Sequence, residues 1–225
     1  MLAVAGPVRD REAPEALARD PLVASMGKGD FLLILGGSGV FEPRRDRMES
    51  IRRLSCLPCT VLFLDGASDD YDAVDDYPEF PWNGGMTNDV WRGVRRLCRG
   101  QVFAIDGHTF AVMGGACTPG RDDRGKYWDW WPEQDPSAGE VSDAVSNLAG
   151  HGGKVDFVFS CERPTEWIPR TGGPGRSAAS DACSDVLSHC SYGHWYFSCL
   201  GREEEFPDLR ATCIGSRAVR VFRSR

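Results

Sequence analysis

The segment from residue 30 to residue 39 reads Asp-Phe-Leu-Leu-Ile-Leu-Gly-Gly-Ser-Gly, an apolar run that ends in glycines. It predicts a buried strand, Asp30–Leu35, followed by a tight turn at Gly36-Gly37-Ser38-Gly39. Because helical stretches separate this run from similar ones, the chain is predicted to be an α/β protein. The other runs of this kind are Leu2–Ala5, Val61–Leu64 and Val155–Phe159.

The remaining elements follow from periodicity and turn residues. A hairpin is predicted from Gln101–Ile105 and Thr109–Met113 around a glycine-containing turn. The glycine- and proline-rich stretch Ile168–Ala178 is predicted to be a mobile loop. No repeat or linker divides the sequence, so we expect a single domain, residues 1–225. Helices are predicted at Ala13–Ser25, Arg44–Leu54, Ser137–Leu148 and Ser180–Leu187, and closing strands at Trp195–Phe197, Arg210–Ile214 and Ala218–Phe222.

Composition argues against several functional classes. The 225 residues carry a formal net charge of −7, which disfavours a broad nucleic-acid surface. The longest apolar run, Phe31 to Leu35, is far below the ~20 residues that span a bilayer, so no membrane partner is expected. The start of the chain lacks the basic residues of a secretion signal, and a cytoplasmic location is expected. The nine cysteines are expected to be reduced, and the cluster of Trp128, Trp130 and Trp131 is expected to be buried.

In α/β proteins, ligands bind beyond the carboxyl ends of the strands. Four glycine-containing or polar strand ends therefore mark the candidate site: Gly6-Pro7-Val8-Arg9, Gly36-Gly37-Ser38-Gly39, Asp65-Gly66-Ala67-Ser68-Asp69 and Ser160-Cys161-Glu162-Arg163. Other short stretches form a recognisable series between them: Trp82-Asn83-Gly84-Gly85, Arg99-Gly100-Gln101-Val102-Phe103, Gly114-Gly115-Ala116, Trp130-Trp131 and Pro164-Thr165.

With these stretches, in this order, the chain resembles a bacterial branch of the calcineurin-like metallophosphoesterases along nearly all its length. The family carries D-x-H, G-D-x-x, G-N-H-[DE], a lone histidine and G-H-x-H, each after a strand. The resemblance implies an αββα sandwich of two mixed sheets flanked by helices. It also implies a site that, in the family, holds two divalent metals such as Mn, Fe or Zn.

The metal-ligand positions of the family hold other residues in this chain. The D-x-H motif falls on Pro7-Val8-Arg9, and the bridging aspartate of the second motif falls on Gly37. The asparagine and histidine of the third motif fall on Ala67 and Ser68, which leaves Asp69.

The later motifs are changed in the same way. The lone histidine falls on Cys161, and the two histidines of the last motif fall on Cys199 and Gly201. An alternative register of that motif, on Gly193-His194-Trp195-Tyr196, would keep one histidine.

These replacements predict the loss of metal-dependent hydrolysis. A two-metal phosphoesterase needs carboxylate and imidazole ligands that hold its cations ~3.5–4 Å apart. Pro7, Gly37 and Ala67 offer no side-chain ligand. The first hypothesis is therefore an inactive pseudophosphoesterase that acts by binding a ligand or a partner and needs no cofactor.

Three further possibilities concern the same site. Arg9 and Arg163 could supply the positive charge once given by the metals and bind a phosphate-containing small molecule; the alternative is that they pair with Asp10 and Glu162. An active phosphohydrolase with a remodelled, single-metal site could draw on Cys161 and Cys199, with Asp69, His189 or His194 to complete it. A thiol-dependent activity of Cys161 is the third possibility.

Overall fold

The computed structural model describes residues 1–8, 11–67, 69–118 and 120–223. They form an α/β structure in which two mixed sheets pack face to face and helices flank them, as the coarse prediction has it. None of the helices in these residues is long and apolar enough to cross a membrane.

The first sheet has seven strands, four of which are parallel neighbours at its centre. Its order is β13-β1-β2-β3-β6-β5-β4, and β13, β5 and β4 pair antiparallel. The strands are β1 (Leu2–Ala5), β2 (Phe31–Ile34), β3 (Thr60–Phe63), β4 (Glu79–Trp82), β5 (Gly85–Trp91), β6 (Val94–Leu97) and β13 (Val219–Phe222).

The second sheet has six strands in the order β11-β12-β10-β9-β8-β7. Strands β8, β9, β10 and β12 are parallel, whereas β7 and β11 pair antiparallel at the two edges. The strands are β7 (Val102–Ile105), β8 (His108–Met113), β9 (Lys154–Ser160), β10 (Ser191–Phe197), β11 (Glu204–Phe206) and β12 (Ala211–Cys213).

Three apolar layers hold the structure together. Between the sheets, Leu33 and Leu62 of the first sheet pack with Phe103, Phe110 and Phe159 of the second. The outer face of each sheet is covered by helices, which leaves strand ends as the place where both sheets meet solvent. The helices are α1 (Ala13–Arg19), α2 (Pro21–Ala24), α3 (Arg47–Ser55), α4 (Ala138–Gly150), α5 (Ile168–Thr171) and α6 (Ala178–His189).

Two predicted elements differ in the structure. The helix predicted at Ala13–Ser25 is broken at Asp20, because a residue before proline is pushed out of the helical region. Asp20 is extended (φ −61°, ψ 125°), and its side chain caps α2 by accepting from Leu22 N at 2.8 Å. The segment predicted as a mobile loop, Ile168–Ala178, contains the short helix α5 and the first residue of α6.

The polar stretch before residue 100, for which no strand was predicted, contains the antiparallel strands β4, β5 and β6. Asn83 (φ 48°) and Gly84 (φ 97°) form the turn between β4 and β5, where left-handed backbone suits these residues. Trp82 packs against Phe31 and Phe103 at ring centroid distances of 5.7 and 6.0 Å. The Trp82-Asn83-Gly84-Gly85 stretch therefore has a structural role.

The tryptophan cluster is split between core and surface. Trp131 is buried, and its Nε1 donates to Asp72 at 3.2 Å. Trp128 is 68% exposed, so the prediction that the cluster is buried is wrong for this residue. The preceding Tyr127 has left-handed backbone (φ 59°) and is also exposed, which places this turn on the outside. All nine cysteines are free thiols.

Candidate functional site

The carboxyl ends of six strands meet in one open cleft of about 640 Å³, here called the strand-end cleft. Residues that follow β1, β2 and β3 of the first sheet form one side, and residues that follow β8, β9 and β10 of the second form the other. The cleft therefore lies on the seam between the two sheets. It is lined by Pro7, Val8, Leu35, Gly36, Gly37, Glu42, Ala67, Asp69, Ala116, Cys117, Thr118, Arg124, Cys161, Glu162, Pro174, Ser198, Cys199, Leu200 and Gly201.

Seven positions singled out in the sequence come together in this cleft. They are Pro7, Gly37, Ala67, Asp69, Cys161, Cys199 and Gly201. Arg9 and Ser68, the two other positions matched to family ligands, lie outside the described residues. Arg163 and His194 do not line the cleft.

Backbone rather than side chains closes the floor of the cleft. A Cβ on Gly66 would lie 2.5 Å from Gly37 N, and one on Gly36 would lie 2.9 Å from Cys161 Sγ. Glycine is therefore required at positions 36 and 66 by close approach. Gly37 also has left-handed backbone (φ 54°), but the nearest atom to a Cβ there is Pro7 Cβ at 3.4 Å, an ordinary contact distance.

Hydrogen bonds join the two sheets at the cleft. Ser198 Oγ, after β10, donates to Leu35 O, after β2, at 2.7 Å. The carbonyl of Asp65 accepts from Gly115 N at 2.9 Å and from Cys161 Sγ at 3.2 Å, which brings in the ends of β8 and β9. Strand ends that belong to different sheets are thus fixed relative to one another.

The carboxylate of Asp65 is fully buried and lies at the centre of an ionic network. Arg96 contacts Oδ1 through Nη2 at 2.9 Å, and Arg99 donates to Oδ2 through Nε at 2.7 Å and through Nη2. Tyr71 Oη also donates to Oδ2, at 3.0 Å. Burial alone would raise the pKa of Asp65, but the two arginines and these hydrogen bonds hold it well below its usual range. Asp65 is therefore a permanently charged structural residue.

Asp69 is a buried acid that lines the cleft. It is 2% exposed, and its Oδ2 accepts from Gly66 N at 2.6 Å. Burial raises the pKa of Asp69 to about 7, the bond from Gly66 lowers it, and the charges of Asp65 and Glu42 raise it further. Its proton is therefore lost and gained near neutral pH.

The structure does not place Arg163 as an anion-binding group. Arg163 is fully buried, and its guanidinium donates to Glu162 Oε2 (2.9 Å), Cys199 Sγ (3.1 Å), Thr171 Oγ1 (3.0 Å) and the carbonyls of Gly172 and Pro174. These five bonds use all five N–H groups of a guanidinium. The pairing with Glu162 considered in the sequence is the observed one.

The side chains considered for a single-metal site do not all come together, because neither His189 nor His194 lines the cleft. Asp69, Cys161 and Cys199 line the cleft, but His194 lies in β10 with Nε2 2.8 Å from Thr212 Oγ1 and its ring against Tyr196. Across residues 1–8, 11–67, 69–118 and 120–223, no group of three or more His, Cys, Asp or Glu side chains is arranged to hold a metal ion.

The cleft thiols are in their neutral form. Burial is the main cause that raises the pKa of Cys161, and the nearby acids Asp65 and Asp69 raise it further. The pKa of Cys199 is raised in the same way, by burial and by Glu162. Because the thiolate is the nucleophile, these environments do not favour a thiol-dependent activity at Cys161.

Several residues at the cleft were not predicted as site residues. Glu42 and Arg124 lie in loops. Loops have no regular side-chain periodicity, so the sequence does not predict which way a charged residue in a loop is oriented. Thr118 Oγ1 lies 2.8 Å from Ala67 O and 2.6 Å from the side-chain amide of Gln134, and so connects two segments of the cleft wall. Glu162 lies in the predicted strand-end stretch Ser160-Cys161-Glu162-Arg163, but the individual role considered for it was a pair with Arg163 rather than a place in the lining of the cleft.

The fold and site define an α/β protein with two packed mixed sheets and a cleft at their common edge. No family model matches the chain. No curated protein matches it. Among solved structures, it is similar to the protein of unknown function AQ665 from Aquifex aeolicus, with 13% identity over 86% of this chain and 90% of that chain, and a TM-score of 0.37. A TM-score of this size does not establish a shared fold.

Proposed function

We propose that this protein is a catalytically inactive relative of the calcineurin-like metallophosphoesterases that acts by binding a ligand or partner in the strand-end cleft. One observation supports this most directly. Pro7, Gly37, Ala67 and Gly201, which match ligand positions of the family, line one cleft and offer no metal-binding side chain. These positions lie in one cleft, and the described side chains around them form no metal-binding group.

The argument from chemistry is strongest at Gly37. Two cations ~3.5–4 Å apart repel each other, and a bridging carboxylate offsets that repulsion. Glycine has no carboxylate to offer. Asp69 is held to the turn after β3 by the bond from Gly66 N, and a single acid at the cleft does not restore the full ligand set of a two-metal site.

The architecture is compatible with the proposed relationship. Two mixed sheets packed face to face, with helices on both outer faces, are what the resemblance to the family implies. Several family-like stretches outside the cleft have structural roles that do not depend on catalysis. Arg99 holds Asp65, and a Cβ on Gly114 would lie 2.8 Å from Asp65 Oδ1.

Binding remains feasible without catalysis because the cleft has the dimensions of a ligand site. Its volume of about 640 Å³ lies within the range of roughly 300–1,000 Å³ that is typical of small-molecule sites. Loss of the metal ligands has therefore not filled the site with side chains.

The proposal is tested by metal content and hydrolysis of the same sample. Protein incubated with Mn²⁺ or Zn²⁺ and then exchanged into metal-free buffer should retain substoichiometric metal. It should not hydrolyse p-nitrophenyl phosphate or bis(p-nitrophenyl) phosphate above a buffer blank. Stoichiometric metal together with turnover that Asp69→Ala abolishes would overturn the proposal and support the remodelled phosphohydrolase instead.

A further inference from the structure

The strand-end cleft is acidic. Glu42, Asp69 and Glu162 line it, whereas Arg124 is the basic residue among the lining positions. Glu162 is neutralised by its pair with Arg163, but no ion pair or side-chain hydrogen bond is formed by the carboxylate of Glu42 within the described ranges. Among the residues that the structure describes, Asp69 and Glu42 therefore form no ion pair, and the charges that line the cleft favour a cationic ligand over an anionic one.

Asp69 offers a hydrogen-bond acceptor to the cleft. It is 98% buried, since only 2% of it is exposed, and it lines the cleft. Oδ2 is bound by Gly66 N, but Oδ1 has no hydrogen-bond partner in the part of the chain that the structure describes. Oδ1 is not sealed from solvent, because it is open to the cleft, and a donor on a ligand there would form a charge-assisted hydrogen bond with it.

Resting on the proposed function, we propose that the strand-end cleft binds an organic cation, an ammonium group on an aliphatic stem, with Asp69 Oδ1 as its main acceptor and Glu42 as the second carboxylate. An ammonium group carries three hydrogen-bond donors and one positive charge. It can therefore donate to Asp69 Oδ1 and balance the negative charge of the two carboxylates. The charge of Glu42 reaches Asp69, as its effect on the pKa of Asp69 shows.

The walls of the cleft suit the stem of such a cation. Pro7, Val8, Leu35, Pro174 and Leu200 provide apolar surface beside the two carboxylates. A methylene chain against such surface gains about 0.8 kcal/mol for each CH₂ group that is fully buried. The cleft is also much larger than a bare ion needs, and an extended amine uses this volume.

The probe is 1,6-diaminohexane, and its control is 1,6-hexanediol, which has the same stem without the charges. At pH 8 the amine is protonated and Asp69 is mainly ionised, since its pKa is about 7. Titration calorimetry should show saturable binding of the diamine and none of the diol. A second arm uses Nα-acetyl-lysine N-methylamide, which distinguishes a free amine from the lysine side chain of a partner protein, and binding of either compound supports the proposal.

Variants separate this site from the general attraction of an acidic protein for cations. Asp69→Asn keeps an oxygen for Gly66 N but removes the charge, and should weaken binding of the diamine at least about tenfold. Glu42→Gln, at a half-buried position, should also weaken it and is less demanding for folding. Asp143→Asn makes the same charge change on the exposed face of α4, outside the cleft, and should leave the affinity unchanged.

Three results would overturn the inference. One is failure of both amines to bind. Another is an equal loss of affinity in Asp69→Asn and Asp143→Asn, which would show that only the net charge matters. The third is binding of inorganic phosphate or AMP in competition with the diamine. Each differs from failure of the proposed function, which would appear as metal-dependent hydrolysis whether or not an amine binds.

Discussion

At the residue scale, Asp69 makes the stability of this protein depend on pH. Its folded pKa of about 7 lies above the ordinary value of 3.8. Below pH 3.8 the carboxyl is protonated in both states, and stability is unaffected. Between the two values only the folded state holds the proton, so the free energy of unfolding falls as pH rises, by up to about 4 kcal/mol.

Asp69→Asn should remove this dependence. We expect the variant to be more stable than the unchanged protein at pH 8 and nearly equal to it at pH 4, as measured by urea unfolding across this range. Asp65 acts in the opposite direction but only below pH 3.8, because its pKa is lowered. If the free energy of unfolding changed with pH in the same way for the unchanged protein and Asp69→Asn between pH 4 and 8, Asp69 would not be the source of the pH dependence.

Sequence reasoning located the site better than it assigned roles within it. Glycines and polar residues after apolar runs identified the strand ends that line the cleft, because parallel strands bring their carboxyl ends to one edge. It could not tell that Arg163 turns inwards. Three of its five hydrogen bonds go to Thr171, Gly172 and Pro174. These partners reach the guanidinium only once this loop has folded.

At the element scale, Asp65, which follows β3, forms ion pairs with Arg96 of β6 and with Arg99 in the turn after β6. Asp65→Ala would leave Arg96 and Arg99 buried without their counter-ion, and should cost about 3–5 kcal/mol of unfolding free energy. Asp89→Ala is the matched control, because Asp89 pairs with Arg95 at 3.4 Å on the surface. Its expected cost is below about 1 kcal/mol. If chemical denaturation showed the same loss of unfolding free energy for both variants, the buried ion pairs would contribute no more to stability than the surface pair does.

Gly66→Ala tests the close approach of two turns. Its Cβ would lie 2.5 Å from Gly37 N and 3.2 Å from Gly36 C, so the turns after β2 and β3 must separate. We expect a loss of about 1–3 kcal/mol in the free energy of unfolding. Gly29→Ala, where no atom lies within 4 Å of the added Cβ, should change it by less than about 1 kcal/mol. If Gly66→Ala left the free energy of unfolding unchanged, the two turns would be able to move apart at little cost.

The elements that the sequence predicted best are those with one dominant local signal. The hairpin of β7 and β8 was predicted from an apolar pattern around a turn, and its left-handed Asp106 (φ 51°) and Gly107 (φ 79°) explain that success. The break at Asp20 was missed because the apolar pattern continues through it. The strands β4 to β6 were missed because their outer positions are polar and aromatic.

At the scale of the whole molecule, the two sheets are held together without disulfide bonds. All nine cysteines are free, so we expect the midpoint of thermal unfolding to be the same with and without a reducing agent in freshly reduced protein. Differential scanning calorimetry of both samples tests this. A lower midpoint in the reduced sample would reveal a disulfide that forms in solution.

The α/β class could be predicted from the sequence, whereas the pairing of the two sheets could not be derived from apolar patterns. The layer between the sheets depends on contacts between residues far apart in the sequence, such as Phe157 of β9 with Phe222 of β13 at a ring centroid distance of 5.8 Å. Only the resemblance to a known family implied two sheets. The exposure of Trp128 was missed because no local pattern distinguishes a buried tryptophan from an exposed one.

Hydrogen bonds that cross the seam between the sheets allow ligand binding to be detected by the exchange rates of the donating backbone amides. Gly115 N donates to Asp65 O at 2.9 Å, and Gly6 N donates to Gly215 O at 2.8 Å. Both amides lie where parting of the two sheets would expose them to solvent. A ligand that touches both sides of the cleft opposes that parting and should slow their exchange together, whereas one that rests on a single loop would slow exchange only there.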